Sequence, residues 1–173
     1  MLTVRPAAEP DVPVLAAIAA EAYRVYVPRI GREPAPMTAD YAEAVRTGLT
    51  WAAVRDDEVV GLLVLAVRPD HLLLENVAVL PSAQGAGVGA RLLALAEDEA
   101  RARGLREIRL YTNEAMTENL AYYPRRGYAE THRAVQDGFR RVFFTKPVTG
   151  PEGTCQSVFR RCGGTFRYAQ SRG

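Results

Sequence analysis

Hydrophobic positions are spaced most tellingly between Leu72 and Arg103. LLLENVAV, residues 72–79, is an almost continuous apolar run of the kind a strand buried on both faces shows. After Pro81 and Ser82 come three glycines in five positions, Gly85, Gly87 and Gly89. From Val88 to Arg103 the apolar residues Val88, Leu92, Leu95, Ala96 and Ala100 return every three or four positions and stop at Gly104, an amphipathic helix. The order is strand, tight glycine loop, helix.

The rest of the chain reads in the same way. Leu2 to Arg5 is a short strand, and Pro10, Asp11 and Pro13 open a helix carrying Val14, Leu15, Ile18 and Ala22 on one stripe. Tyr23 to Met37, rich in Pro and Arg, has no usable period and is a long loop of the functional kind; Thr38 is expected to cap a second short helix ending at Gly48. Trp51–Arg55 and Val59–Val67 form a hairpin through Asp56-Asp57-Glu58, with Trp51 in the core. Ile108–Thr112 is a fifth strand, Met116–Tyr123 a helix stopped by Pro124, and Tyr128–Val135 with Phe139–Lys146 a closing hairpin through Gln136-Asp137-Gly138. By period alone this is one α/β domain.

Composition narrows the classes. The chain has 173 residues and net charge +2, but residues 148–173 hold four Arg and one Glu, a local +3 that leaves the body at −1. That body has no nucleic-acid footprint. Residues 148–173, Gly- and Arg-rich, read as a disordered tail after a domain of residues 1–147; a basic partner-binding arm is the sharper alternative. Both cysteines, Cys155 and Cys162, fall in that tail, and two His, at 71 and 132, are too few for a zinc cluster, so no metal is expected. No apolar run has the length of a signal-peptide core or a membrane span, which points to a cytoplasmic protein without membrane contact.

The glycine loop carries the chemistry. Glycine permits positive φ and a close approach of bare N–H groups, and a helix N-terminus adds about half a positive charge, so the loop suits an anion, most naturally phosphate. Its spacing, Gln84, Gly87, Gly89, is Q-x-x-G-x-G, which is neither the dinucleotide G-x-G-x-x-G nor the Walker loop with its Lys. At these residues the chain resembles the GNAT superfamily of acyl-CoA-dependent N-acyltransferases, whose signature is [RQ]-x-x-G-x-[GA]. The flanks VAVLP and GARLLALAEDEARARG and the later YYPRRGY resemble it too, so the likeness spans roughly residues 1–147.

The resemblance implies a single-domain α/β (α+β) fold, a central mixed, mostly antiparallel six- to seven-stranded twisted sheet flanked by four helices. It implies acetyl-CoA as co-substrate, bound by Gln84, Gly85, Ala86, Gly87, Val88, Gly89 and Ala90 and by the backbone of Val77, Ala78 and Val79, the last as donor to the thioester oxygen. Tyr123, four residues before Gly127, matches the family's Y-x-x-x-G-[FY] and would protonate the departing thiolate, while its neighbour Tyr122 points about 100° away. Where many members carry an Asn seven residues before that Tyr, this chain has Met116, leaving Asn119 or Asn113 to reach the cofactor.

Glu75 is the charge inside the central strand. If alternation holds, it shares a face with Leu73, Val77 and Val79, where a carboxylate is costly unless used; by resemblance it is the general base, and otherwise an ion-paired structural carboxylate or a residue turned out by a bulge. The acceptor would be a small-molecule or protein amine, and a homodimer is among the partners the resemblance admits. The rival reading is a non-catalytic acyl-CoA-binding module. His71 and His132 are expected at the surface.

Overall fold

The computed structural model describes residues 1–148. Seven strands form one sheet in the order β1-β2-β3-β4-β5-β7-β6, with β1 Leu2–Pro6, β2 Thr50–Arg55, β3 Glu58–Val67, β4 Leu72–Val79, β5 Glu107–Asn113, β6 Ala129–Gln136 and β7 Phe139–Pro147. Every pairing is antiparallel except β4 with β5. That one parallel pair needs a crossover, which the amphipathic helix α4, Val88–Ala102, provides.

The other helices are α1 Val12–Tyr23, α3 Tyr41–Arg46 and α5 Thr117–Tyr122, with one extra turn, α2 Val27–Ile30, inside the segment read as loop. The sheet separates two cores. On one face α4 buries Val88, Leu92 and Ala96 with Leu63, Leu72 and Ile108; on the other α1 and α3 bury Leu15, Ile18 and Tyr41 with Leu62, Val64 and Ala78. Each fully buried Leu or Ile contributes about 1.5–3 kcal/mol of transfer free energy, so these faces fix both helix layers. Gly61 makes the α4 contact close: a side chain there would stand 3.1 Å from the Ala78 carbonyl and 3.2 Å from Val88.

Some expectations shift. The cap of α3 is Asp40, whose carboxylate accepts from the Glu43 N–H at 2.9 Å; Thr38 instead closes the preceding turn by donating to the Ala35 carbonyl. The fold also extends past residue 147, since Val148 is buried and its N–H bonds the Arg106 carbonyl at 2.7 Å. The rest of the expected tail, with Cys155 and Cys162, lies outside the described residues. Among those described, no helix is long and apolar enough to cross a membrane.

Two irregularities in β4 create the space for a site. Opposite β3, Val64 pairs with Asn76 and Leu65 with Leu74, so Glu75 is the extra residue of a β-bulge. Toward β5, only Leu72 and Leu73 are paired, with Ile108 and Arg109, and beyond them the two strands splay apart.

Candidate active site

The splay opens onto the head of α4. Gly85 and Gly87 have φ of 78° and 81°, the left-handed region, and nothing lies within 4 Å of where a side chain on either would begin. The glycines thus turn the chain at low cost and leave room for a ligand against the first N–H groups of a 15-residue helix, which lack intrahelical partners. A cavity of about 860 Å³ lies there, walled by Gln84, Gly85, Gly87, Val88, Gly89 and Ala90 and, across it, by Arg24, Arg125 and Arg126. These residues fit a pyrophosphate.

The same cavity continues along the free edge of β4. Leu80 donates its N–H to the Val60 carbonyl on β3 at 2.9 Å, so by alternation the N–H groups of Val77 and Val79 turn away from β3 into the splay. Their carbonyls, on the same edge, accept from the Tyr23 hydroxyl at 3.4 Å and from Gln84 Nε2 at 3.2 Å. Two outward N–H groups, two residues apart, suit amides and a thioester carbonyl. The other two predicted cofactor positions stand off this wall: Ala78 is buried in the α1/α3 core because it pairs with Leu62 on that face, and Ala86 is exposed and lines neither cavity.

Helix α5 supplies the far wall. Asn119 donates to Thr112 Oγ1 at 3.1 Å, tying the helix to β5. Met116 does not replace the missing Asn by reaching out; it is buried, and its sulfur accepts from Thr112. Tyr123 is 6% exposed and packs its ring against Tyr122, Tyr128 and Phe144 at centroid distances of 5.6–5.7 Å. Its hydroxyl bonds to none of the described residues. Burial, reinforced by Tyr122 and Tyr26, pushes its phenol well above the ordinary range, so it stays a neutral proton donor. Tyr122 turns to the head of α4, its hydroxyl 3.0 Å from where a Gly89 side chain would begin.

A second cavity, of about 680 Å³, lies on the α1/α3 side and meets the first at Val77, Asn119 and Tyr123. Its roof is the 24–37 segment. Arg29 holds it to α5 through both oxygens of Glu118, at 2.8 and 2.9 Å, and Arg32 holds it to the closing hairpin, donating to the Asp137 carbonyl at 2.6 Å and lying over the Phe139 ring.

The floor is a buried hydrogen-bond chain: Tyr23 donates to Asn76 Oδ1 at 2.8 Å, Asn76 Nδ2 to the Tyr41 hydroxyl at 2.9 Å, and Tyr41 to the Pro36 carbonyl at 2.7 Å. Desolvation raises both phenols, Tyr41 to about 12, so both remain donors across the physiological range.

The bulge decides what faces this floor. It puts Asn76, not Glu75, on the α1/α3 face, and the expected sharing of a face between Glu75 and Val77 fails because the phase changes at the extra residue. Glu75 is 43% exposed and sits 3.6 Å from Arg68. The interior, desolvated carboxylate expected from alternation is therefore a hydrated, ion-paired one, although it still lines the second cavity. His71 pairs with Asp70 and His132 stacks on Phe143; neither lines either cavity.

Residues 15–128 match the Acetyltransferase (GNAT) family. The chain belongs to that family. Its fold is also that of solved GNAT structures, among them the PaiA N-acetyltransferase of Thermoplasma acidophilum in complex with coenzyme A (17% identity, TM-score 0.73, covering 85% of this chain and 99% of that one). A second is the ribosomal-protein-S18-alanine N-acetyltransferase of Escherichia coli (21%, TM-score 0.69, covering 89% and 98%). The aminoalkylphosphonate N-acetyltransferase of Salmonella typhimurium is 36% identical over 87 residues, 46% of this chain, so the match spans 56% of that relative's length.

In this GNAT chain, nearly all the expected positions line one of the two cavities, together with several that no motif marks. Asn76, Tyr41 and Gly61 were unmarked, and Tyr23 was only the start of a loop. Arg125 and Arg126 stood inside the YYPRRGY match without a role. A polar Asn within a run of apolar β4 residues was the one available signal for the floor. Among the described residues, no group of His, Cys, Asp and Glu could hold a metal ion.

Proposed function

We propose that the chain is an acetyl-CoA-dependent N-acetyltransferase that passes the acetyl group directly to a primary amine within a ternary complex. The observation that carries this is the junction: a backbone-lined cavity suited to CoA and a separate roofed cavity share only Val77, Asn119 and Tyr123. Acetyl-CoA supplies a thioester whose carbon accepts the amine, the new C–N bond replacing C–S. The N–H groups of Val77 and Val79 hold the pantetheine and the thioester oxygen, a contact typically worth about 3–4 kcal/mol in the transition state.

The remaining work is on protons. A lysine-like ammonium with pKa about 10.4 leaves about one molecule in two thousand as free amine at pH 7, a deficit of roughly 4.6 kcal/mol. Glu75, which lines the roofed cavity, accepts the proton the amine loses. Tyr123, buried and neutral where the two cavities meet, gives one to the departing thiolate. No cysteine lies within residues 1–148 to carry the acetyl group, which favours direct transfer.

The test mixes the protein with acetyl-CoA and a panel of amines while a thiol-reactive dye reports free CoA. Amine-dependent thiol release with intersecting initial-velocity lines is expected. Parallel lines would point to a covalent intermediate, and an acetyl-CoA melting shift without turnover to the binding-module rival.

A further inference from the structure

The roofed cavity also carries information about its occupant, given the proposed reaction on which this inference rests. Away from the Tyr123 hydroxyl at the junction, the polar side chains of its floor are already engaged. Tyr23, Asn76 and Tyr41 form a closed chain ending on the Pro36 carbonyl, and Asp40 is held by the Glu43 N–H as a helix cap. Each guanidinium in the wall has a carboxylate: Arg68 faces Glu75 at 3.6 Å, and Arg141 lies 3.1 Å from Asp137 while stacking on Tyr111.

Most of what is left to contact the body of a ligand is hydrocarbon. Ile30, Pro34 and Pro36 come from the roof, Leu49 and Ala66 from the β2–β3 side, and Phe139 from the hairpin. A site that reads a polyhydroxylated or anionic acceptor keeps unpaired donors or uncompensated cations for it, because buried polar groups left without partners cost about 1–3 kcal/mol each. In this wall Asp40, Glu43 and Glu75 outnumber Arg68 and Arg141, and with Glu43 also paired to Arg46 and Glu75 to Arg68 no cation is left uncompensated. That balance admits an ammonium and disfavours a phosphonate or carboxylate.

We propose that the acceptor is a primary amine on an apolar body, an arylalkylamine or alkylamine, whose hydrocarbon part fills the space under the 24–37 segment while its nitrogen reaches the junction beside Val77 and Tyr123. The volume of about 680 Å³ exceeds what a two-carbon amine needs and is in the range of sites for ligands of drug size.

The experiment compares kcat/KM, at saturating acetyl-CoA, for n-alkylamines from butyl to octyl, phenethylamine, 2-aminoethylphosphonate and the aminoglycoside kanamycin. The expected result is a rise of about fourfold per added methylene, the transfer value for a buried CH2. Phenethylamine should rank with the longer chains, and the phosphonate and kanamycin near background. A flat alkyl series, or preference for the phosphonate or kanamycin, overturns the assignment.

Ala66→Phe gives an independent check. Ala66 follows Leu62 and Val64 on the α1/α3 face of β3, so the ring would occupy the cavity. KM for octylamine should rise at least tenfold and the preference for octyl over butyl should collapse, with the acetyl-CoA melting shift retained; equal loss for short and long amines would contradict the proposed placement. An acetyl-CoA melting shift with no response to apolar amines rejects the acceptor class alone. The absence of any acetyl-CoA shift rejects the proposed reaction, and this inference with it.

Discussion

The cavity at the head of α4 and the cavity under the 24–37 segment share three wall residues yet are built from different material. The first has a backbone floor, left-handed Gly85 and Gly87, the open N–H groups of α4 and the free edge of β4, faced across the cavity by arginines. The second is made of side chains from α1, the roof, α3, β3, β4, β5 and β7, drawn together from residue 23 to residue 141. Backbone recognition needs one short stretch with the right conformational freedom. Side-chain recognition needs many segments to arrive at once, and it is the part free to vary between proteins that bind the same cofactor.

That contrast can be broken by substitution. The largest effect is expected from Glu75→Gln, which keeps size but removes the proposed base: turnover should fall about 10²- to 10⁴-fold. Wild-type rates for this variant across pH 6 to 9 would return Glu75 to the role of a structural partner for Arg68. Next is the cradle. Ligand at 100 times its Kd stabilises a protein by about 2.7 kcal/mol, and thermal melts with acetyl-CoA should lose that gain in Gly87→Val, whose methyls would enter the cavity. Gln84→Ala should keep most of it, because the cradle acts through main chain. Equal losses in the two variants would mean that side chains matter there after all.

On the side-chain cavity, Asn76→Leu removes the acceptor of the Tyr23 hydroxyl, leaving it only the longer 3.4 Å contact with the Val77 carbonyl, and the donor to the Tyr41 hydroxyl. Denaturant melts should show a loss of about 1–3 kcal/mol, with acetyl-CoA affinity retained. Tyr123→Phe should lower turnover about tenfold, and by less with an activated ester whose leaving group needs no proton. If the ester is affected equally, the hydroxyl serves packing and not proton donation.

The smallest effect belongs to a control outside both cavities. Asp11 is held below the usual carboxylate range, first by the hydrogen bonds from Arg5, at 2.7 and 2.9 Å, then by the Ala8 N–H and the Arg5 charge. A lowered folded pKa means a stabilising contribution that is complete above the unfolded value of about 3.9 and is lost as pH falls below it through the folded value. Asp11→Asn should therefore reduce stability at pH 7 and flatten its decline below about pH 4, without altering either cavity. An unchanged acid limb in urea melts would show that the pair contributes nothing measurable.

Much of this was legible beforehand because it depends on local rules. The α4 stripe, the two tight hairpins and the glycine loop each follow from residues adjacent in the chain, and the elements fall within a few residues of where period and turn chemistry put them. Glu75 and Asn76 went the other way. Alternation along β4 assigned the wrong one to the interior, because the extra residue of a bulge is defined only by its register against β3, and LLLENVAV does not announce it. The cap of α3 was likewise misplaced by two residues: Thr38 and Asp40 are both good caps, and the turn at Ala35–Met37 had already engaged Thr38.

By itself, then, the sequence determined the strands, the helices and the tight glycine loop, because strand period, helix period and glycine conformation are properties of neighbouring residues, and its motifs carried the resemblance to the family. Only the tertiary structure decided that β4 and β5 part after two pairs, that Asn76 and not Glu75 joins Tyr23 and Tyr41, and that the 24–37 segment becomes a roof pinned by Arg29 and Arg32. Those are contacts between residues 35 to 105 positions apart. Such contacts form when whole layers pack and every buried polar group must find a partner, a condition on the folded chain as a whole.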